Sequence, residues 1–285
     1  MKRVLIGVFL GICCVVSLFP VVYTLCNAFM SGEEIMAYYG QLAAKDYTDF
    51  GETAGFISFH LIPDDFSMDG FYQIFIRHSD YLIKFWNSVF LTLSIVGGQI
   101  VISCLAGYGF SKFRFPCRKG IFLLTIILMM MPYQVTLVSN YIVLDGFSLI
   151  DSWWSLILPG IFSPFGVFLM KQVMDGVPRQ MMEAASLDGA GRLRTLRSVL
   201  VPCCKSGIVS LGILSFVDNW NMVEQPVVFL KNTWKYPLSV FLAQANSSNL
   251  TLSFVCGILA MIPVAFLFLF FEEELVRGIS LSSFQ

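Results

Sequence analysis

Charge is scarce in this chain. Of its 285 residues 13% are charged and 56% hydrophobic, with a mean hydropathy of +0.75, against roughly a quarter charged in ordinary soluble domains. That balance excludes a water-soluble fold and places the chain in a membrane. Histidine is nearly missing: His60 and His78 are the only two, both between the first and second apolar runs. A His-Glu-x-x-His zinc motif is therefore impossible, and a Ser-His-Asp triad has little support. No glycine is followed by lysine, so the phosphate-cradling loop of a nucleotide hydrolase is absent. Eight cysteines include no Cys-x-x-Cys pair; all but Cys117 lie in or beside apolar runs and read as small hydrophobes rather than metal or redox groups. Basic residues are not in excess, at 18 Lys+Arg against 19 Asp+Glu, and no basic block interleaved with aromatics points to nucleic acid.

What the chain does have is six apolar runs, each long enough to span a bilayer, which needs about 20 residues. The first, Val4 to Met30, follows Lys2-Arg3 and exceeds the core of a secretory signal, so it reads as a retained helix despite Pro20. The others run from Phe85 to Ser111, Gly120 to Leu144, Trp153 to Met170, from near Cys203 toward Pro226, and from Leu252 to Phe271. Between the first two lies a long acidic segment, Ser31 to Lys84, with Phe56, Phe59, Phe66, Phe71, Tyr72 and Phe75 as apolar anchors. An ordered cap is expected there, with Ser67 as the N-cap of the following helix. The fold expectation is all-α: a polytopic membrane protein with six transmembrane helices, forming a single domain over residues 1–285.

Orientation follows from lysine and arginine. Lys112, Arg114, Arg118 and Lys119 crowd the loop after run two; Lys171, Arg179, Arg192, Arg194, Arg197 and Lys205 crowd the loop after run four; Asp145 to Ser152 has none. The positive-inside rule puts the basic loops and both termini in the cytoplasm. Residues 31–84 then form an extracellular loop and residues 171–205 a cytoplasmic one.

That cytoplasmic loop holds the most distinctive stretch, Glu183-Ala-Ala-Ser-Leu-Asp-Gly189-Ala-Gly followed by Arg192-Leu-Arg-Thr-Leu-Arg-Ser-Val-Leu-Val and Pro202. Pro178 pre-sets a helical φ at a first turn, and Gly189 is able to take the left-handed conformation that ends a helix, so a short helix of about three turns is expected between them. Ala184, Ala185 and Gly189 let a docked surface approach the backbone, while Glu183 and Asp188 offer carboxylates beside it. On physics alone a second reading stands: a juxtamembrane loop whose Arg192, Arg194 and Arg197 bind anionic lipid headgroups.

The order Glu183-Ala184-Ala185, three residues, Gly189, nine residues, Val199-Leu-Val-Pro202 resembles the cytoplasmic signature of ATP-binding cassette importer permeases. Asn87-Ser88, Ala106 to Phe115, Pro132, Leu156-Ile-Leu-Pro159 and Trp220-Asn221 extend the resemblance to the carbohydrate branch, to the smaller six-helix maltose type. The chain departs from the pattern at Glu224, where an apolar residue is more usual, and in its Gly278-Ile-Ser-Leu-Ser-Ser-Phe tail. The resemblance implies a bacterial or archaeal plasma-membrane permease that moves a sugar or oligosaccharide by alternating access. Its implied partners are a second homologous permease, two cytoplasmic ATPases that hydrolyse ATP, and an extracellular solute-binding protein; the chain itself binds no cofactor or metal and has no ATPase site. It also implies that Glu183, Ala184, Ala185, Asp188 and Gly189 couple to the ATPase. Gln134, Asn140, Asn219, Trp220 and Asn221 are the candidates for the substrate pathway. An alternative is a secondary transporter or channel with Asp218 as an ion or proton site, since an acid roughly 22 Å along a helix starting at Cys203 must face protein or water.

Overall fold

The computed structural model describes residues 2–43, 60–77, 80–244 and 250–283. The expectations for His78, for Phe56 and Phe59, and for most of the acidic middle of the 31–84 segment fall outside those residues. Helices dominate, and no strand longer than the isolated Met30–Phe66 bridge occurs among the described residues. The chain forms two compact units: one of Met1–Phe85 with Val240–Pro263, the other of Trp86–Ser239 with Val264–Gln285.

In the first unit, α1 (Lys2–Asn27) keeps Pro20 inside a continuous helix. It is apolar along its length and exposed almost throughout, as a span facing lipid or a partner must be. α2 (Gly32–Ala43) follows, its Glu34 amide capped by the Ser31 hydroxyl at 3.2 Å. Met30, Ile35 and Tyr39 are buried together, with Tyr23, Leu250 and Phe254 packed around them. Phe66 stacks on Phe29 with ring centres 5.1 Å apart, so this aromatic anchor acts as the composition suggests. α3 (Asp69–Tyr72) runs on through a π-turn, Gln73–Arg77. Ser67 does bond the Asp69 amide at 3.1 Å, but the residue in the cap position is Met68, so the expected N-cap sits one residue too early.

The second unit begins within α4 (Asp80–Lys112) and continues through α5 (Arg118–Met130), α6 (Tyr133–Gly146), α7 (Trp154–Gly160), α8 (Pro164–Asp175), α9 (Arg179–Leu187), α10 (Arg192–Cys203), α11 (Lys205–Trp220) and α12 (Glu224–Phe229). α13 (Leu238–Gln244) and α14 (Leu250–Ser283) close the chain. Four stretches are long and apolar enough to cross a membrane singly: Arg3–Asn27, Asp80–Lys112, Trp154–Asp175 and Leu250–Glu274. They match the first, second, fourth and sixth runs.

The third run is broken, and a second bend stands at the start of the fifth. α5 and α6 meet at 104°, and α10 and α11 at 80°, giving up to six spans if each bent pair is counted once. Pro132 explains the first break. It offers no N–H to the preceding turn and pushes Met131 to an extended φ −72, ψ 128, while its own ψ is 134. The second bend falls at Cys204, two residues past Pro202, where φ is −100 and ψ 15. The fifth run also stops short of Pro226: α11 ends at Trp220, and Asn221 leaves helical geometry at φ −94, ψ 6.

Two cores hold this unit. Cys104, Tyr108, Leu169, Met170, Met174, Leu196, Leu200, Cys204 and Leu211 form one, and Leu91, Ile95, Leu144, Leu156, Ile157, Phe229 and Leu230 the other. Helices approach closely through small residues, as they do where hydrocarbon supplies no hydrophobic drive and packing must hold the bundle. A Cβ built on Gly166 would lie 2.3 Å from the Ser103 hydroxyl, and one on Gly207 would lie 2.6 Å from Val173.

Candidate functional site

Two features of the second unit bear on function: the exposed helix α9 and a cavity among α4, α5, α6, α7, α8, α11 and α12. α9 is entered at Pro178, whose ψ of 141 keeps it outside the helix as a cap. It ends in a paired C-terminal cap: Gly189 lies at φ +75, its N–H reaches the Ser186 carbonyl at 3.1 Å, and the Ala190 N–H reaches the Ala185 carbonyl at 2.9 Å. A left-handed glycine closing those two bonds satisfies carbonyls that would otherwise face nothing. The base of the helix is tied down by α4. Lys112 donates to the Val177 carbonyl at 2.7 Å, and Ser111 donates to Asp175 at 2.6 Å while Lys171 binds the other oxygen of that carboxylate at 2.6 Å.

One face of α9 points inward and the other out. Ala185 is buried, whereas Glu183, Ala184, Asp188 and Gly189 are exposed. Of the five proposed coupling residues, four therefore share an open surface and the fifth packs into the unit beneath them. Leu187 is 90% exposed and Leu193 72%, large apolar side chains left open at the end of α9 and the start of α10. Sequence reasoning passed over both, because a leucine in an Ala-rich helix reads as core until its direction is known. Arg192, Arg194 and Arg197 are exposed too, with Arg192 lying over the Phe113 ring at 5.1 Å.

The cavity encloses about 580 Å³. Its walls include Gln99, Tyr133, Thr136, Asn140, Ser155, Asp218, Asn219 and Gln225 as polar groups, set among Leu128, Met129, Phe162 and Phe165. Pro132 and the end of α11 make this room possible, because the breaks there turn backbone and side chains inward instead of continuing a closed helix face. Gln99 donates to the Gly160 carbonyl at 2.7 Å, and its own amide oxygen has no partner among the described residues. Tyr133, Asn140 and Gln225 face this space together.

Among the five pathway candidates the structure brings two, Asn140 and Asn219, into this wall. Trp220 is buried and stacks on Phe216 with ring centres 5.4 Å apart. Asn221 turns its amide back to the Val217 carbonyl at 2.8 Å, and Gln134 donates to both oxygens of Glu224 at 3.1 and 3.2 Å. These three stand outside the wall because a one-residue step along a helix rotates a side chain by about 100°. Three of the missed wall residues, Tyr133, Thr136 and Gln225, sit one, four and one positions from residues that sequence reasoning had marked: Tyr133 beside Pro132, Thr136 on the same face as Asn140, Gln225 beside Glu224.

Asn87 and Ser88, part of the resemblance, work at a distance from the cavity. Asn87 donates to the carbonyls of Trp234 at 2.7 Å and Tyr236 at 3.2 Å, and Ser88 accepts from the Leu238 amide at 2.7 Å. They pin the segment after α12 to α4.

In the first unit Glu34, His60 and Asp64 place ligand-type atoms within 4.8 Å of one another. Their oxygens and nitrogens are largely spent on each other and on the loop. Asp64 binds His60 at 3.2 Å and Tyr38 at 2.9 Å, its amide binds Glu34 at 2.9 Å, and the His60 backbone bonds the buried Tyr39 hydroxyl. The cluster fastens residues 60–64 to α2.

Residues 99–281 match the family described as binding-protein-dependent transport system inner membrane component. The chain is 29% identical over 221 residues to the arabinooligosaccharides transport system permease protein AraQ of Bacillus subtilis, covering 76% of this chain and 79% of that one. It is 26% identical over 286 residues to the maltodextrin transport system permease protein MdxG of Bacillus subtilis, covering 98% and 95%. A crystal structure of a bacterial ABC transporter involved in the import of the acidic polysaccharide alginate contains a chain that matches with a TM-score of 0.80 at 20% identity, over 95% of each chain. AraQ and MdxG are both named as transport system permease proteins. The chain accordingly belongs to the binding-protein-dependent transport system inner membrane component family, and is a multi-pass plasma-membrane permease subunit of an ATP-binding cassette importer.

Proposed function

We propose that this permease imports a sugar or oligosaccharide, with the cavity as its share of the solute path and α9 as the helix that docks on an ATPase. The observation that carries the docking assignment is the capped, outward face of α9, with Glu183, Ala184, Asp188 and Gly189 open and Leu187 standing 90% exposed beside them. Ala185 supports that face from beneath. The saccharide assignment is supported by relatives named for arabinooligosaccharides and maltodextrin, and by a wall of hydroxyl, amide and aromatic groups suited to sugar hydroxyls and ring faces.

In this reading the chain is one transmembrane domain of six spans, α5 with α6 counting as the third and α11 as the fifth, with both termini, α9 and residues 171–205 in the cytoplasm and residues 31–84 outside. It pairs with a second permease, two ATPases and an extracellular solute-binding protein. ATP is hydrolysed by the ATPases, whose closure is carried through α9 into alternating access. An ion-coupled transporter working alone through Asp218 does not fit a binding-protein-dependent family.

The test is reconstitution with the partner subunits. ATPase activity should rise when the solute-binding protein is loaded with an oligosaccharide. Stimulation only by an amino-acid-, peptide- or metal-loaded binding protein would overturn the saccharide assignment.

A further inference from the structure

Among the described residues that wall the cavity, Asp218 is the one Asp, Glu, Lys or Arg. A second carboxylate, Glu224, opens α12; Gln134 grips both of its oxygens, at 3.1 and 3.2 Å, while its chain neighbour Gln225 and Tyr133 of α6 line the cavity. Among the described residues of the wall no lysine or arginine answers them. The basic residues of the unit lie outside the described wall, clustered from Lys112 to Lys119 and from Lys171 to Lys205, with Lys231, Lys235 and Arg277 besides; with Lys205 at the start of α11 and Asp218 near its end, thirteen residues of helix put those two roughly 20 Å apart. That exceeds the screening length of about 8 Å at physiological ionic strength. Lys231 and Lys235 come after α12, and Lys235 is paired with Asp151 at 3.4 Å. The field inside the cavity is thus set by carboxylates, and a cleft with apolar walls such as Leu128, Met129, Phe162 and Phe165 concentrates such a field.

Resting on the reading of this cavity as part of the solute path, we propose that the permease screens its cargo by charge: Asp218, with Glu224 on the next helix, admits saccharides that are uncharged or carry an amino group and turns away those bearing uronate or phosphate groups. Neutral hydroxyls find partners in Tyr133, Asn140 and Gln225, and acceptors in the side-chain oxygens of Thr136 and Asn219, whose donors are held by the Tyr133 and Ser215 carbonyls, without any charge to bury. An anionic group entering the same space loses water and meets only like charge. An amine meets a carboxylate.

The charge of the cavity is readable without any saccharide, from the rate at which a cysteine in its wall reacts with small thiosulfonate reagents of opposite charge. In the assembled transporter, in membranes, Cys13, Cys14, Cys26, Cys117 and Cys203, which are exposed or partly so, would be replaced by alanine and Thr136→Cys introduced, with modification of this chain followed by mass spectrometry. After division by its rate with a free thiol, the trimethylammonium reagent should react on the order of tenfold faster than the sulfonate reagent, and Asp218→Asn with Glu224→Gln should collapse that preference. No preference, or one that persists in the double variant, would overturn the proposal, as would a uronate-bearing oligosaccharide imported as fast as its neutral counterpart. Asn140→Cys serves as the second reporter should Thr136→Cys prevent assembly. Saccharide-stimulated ATPase measured on the same preparation separates the two ideas: its loss with every saccharide would count against the import reading, while the thiol rates report the charge alone.

Discussion

Gly107 and Met170 meet where α4 passes α8, so closely that a Cβ on Gly107 would lie 2.8 Å from the Met170 Cβ, 2.9 Å from its carbonyl carbon and 3.0 Å from the Lys171 nitrogen. Two of those three atoms are backbone. A rotamer change cannot relieve the contact, and the helices must move apart. Met170 is fully buried in the core beneath α9, so the crossing bears directly on the platform from which that helix projects.

Gly107→Ala should therefore destabilise the folded permease by about 1–3 kcal/mol, the usual range for overpacking. Gly109, two residues on, has open space where a Cβ would go. Thermal unfolding of the purified protein in detergent checks this: a lowered midpoint for Gly107→Ala beside an unchanged one for Gly109→Ala is expected. Equal midpoints would show that α4 and α8 part at this crossing without cost.

At Gly189 the situation is reversed. A Cβ there would touch nothing within 4 Å, yet φ is +75, so a side chain is opposed by backbone geometry alone, at about 1–2 kcal/mol and more for a β-branched residue. Gly189→Val should leave membrane insertion intact while ATPase co-purification and uptake fall; Gly189→Asn, which tolerates the left-handed region, should retain more of both. Glu183→Ala should act more mildly, since an exposed carboxylate pair contributes about 1 kcal/mol or less. If α9 were instead a lipid-surface element, Gly189→Val would be silent and only neutralising Arg192, Arg194 and Arg197 together would abolish uptake.

The orientation is checked by cysteine accessibility. Single cysteines at Asp49 and Lys235 should react with an impermeant thiol reagent on intact cells, and cysteines at Arg114 and Arg194 only after permeabilisation. Labelling of the Arg194 position from outside would invert the topology and remove α9 from the side where ATP is hydrolysed.

Asp151 ties the segment after α12 to the turn before α7. Its carboxylate accepts from the amides of Lys231 at 3.1 Å and Asn232 at 3.0 Å and pairs with Lys235. The Asn232 and Lys231 amides and the Lys235 ammonium hold its carboxyl below the usual carboxylate range. A lowered folded pKa means the stabilisation is complete above the unfolded value of about 4 and is lost as pH falls through the folded one. Amide exchange at Lys231 and Asn232, corrected for intrinsic rates, should thus be slow and level across neutral pH and quicken only in acid. In Asp151→Asn it should already be fast at pH 7. A wild-type transition near neutrality would mean that another group controls this segment.

Much of the fold was legible in the residues. Apolar runs of Val4 to Met30 or Leu252 to Phe271 have one physical solution in a bilayer, a helix that satisfies its own backbone, and four such runs appear as single spans. Pro178 and Gly189 likewise act on their own neighbours: ring closure at one end and a left-handed φ at the other bound α9 whatever surrounds it. Tertiary structure decided what depends on direction rather than composition. Pro132 by itself permits anything from a gentle kink to a full break, and the 104° turn between α5 and α6 is the one in which α6 packs against α7 and α12. The polar residues of α6 and α11 were all visible, yet Asn140 and Asn219 reach the cavity while Trp220 and Asn221 do not. Ala185 and Leu187, two positions apart in one short helix, end on opposite sides, one buried and one open. A sequence states which side chains are available; which way each one faces is set by the rotation of its helix against distant neighbours, and only the assembled packing of those helices determines that angle.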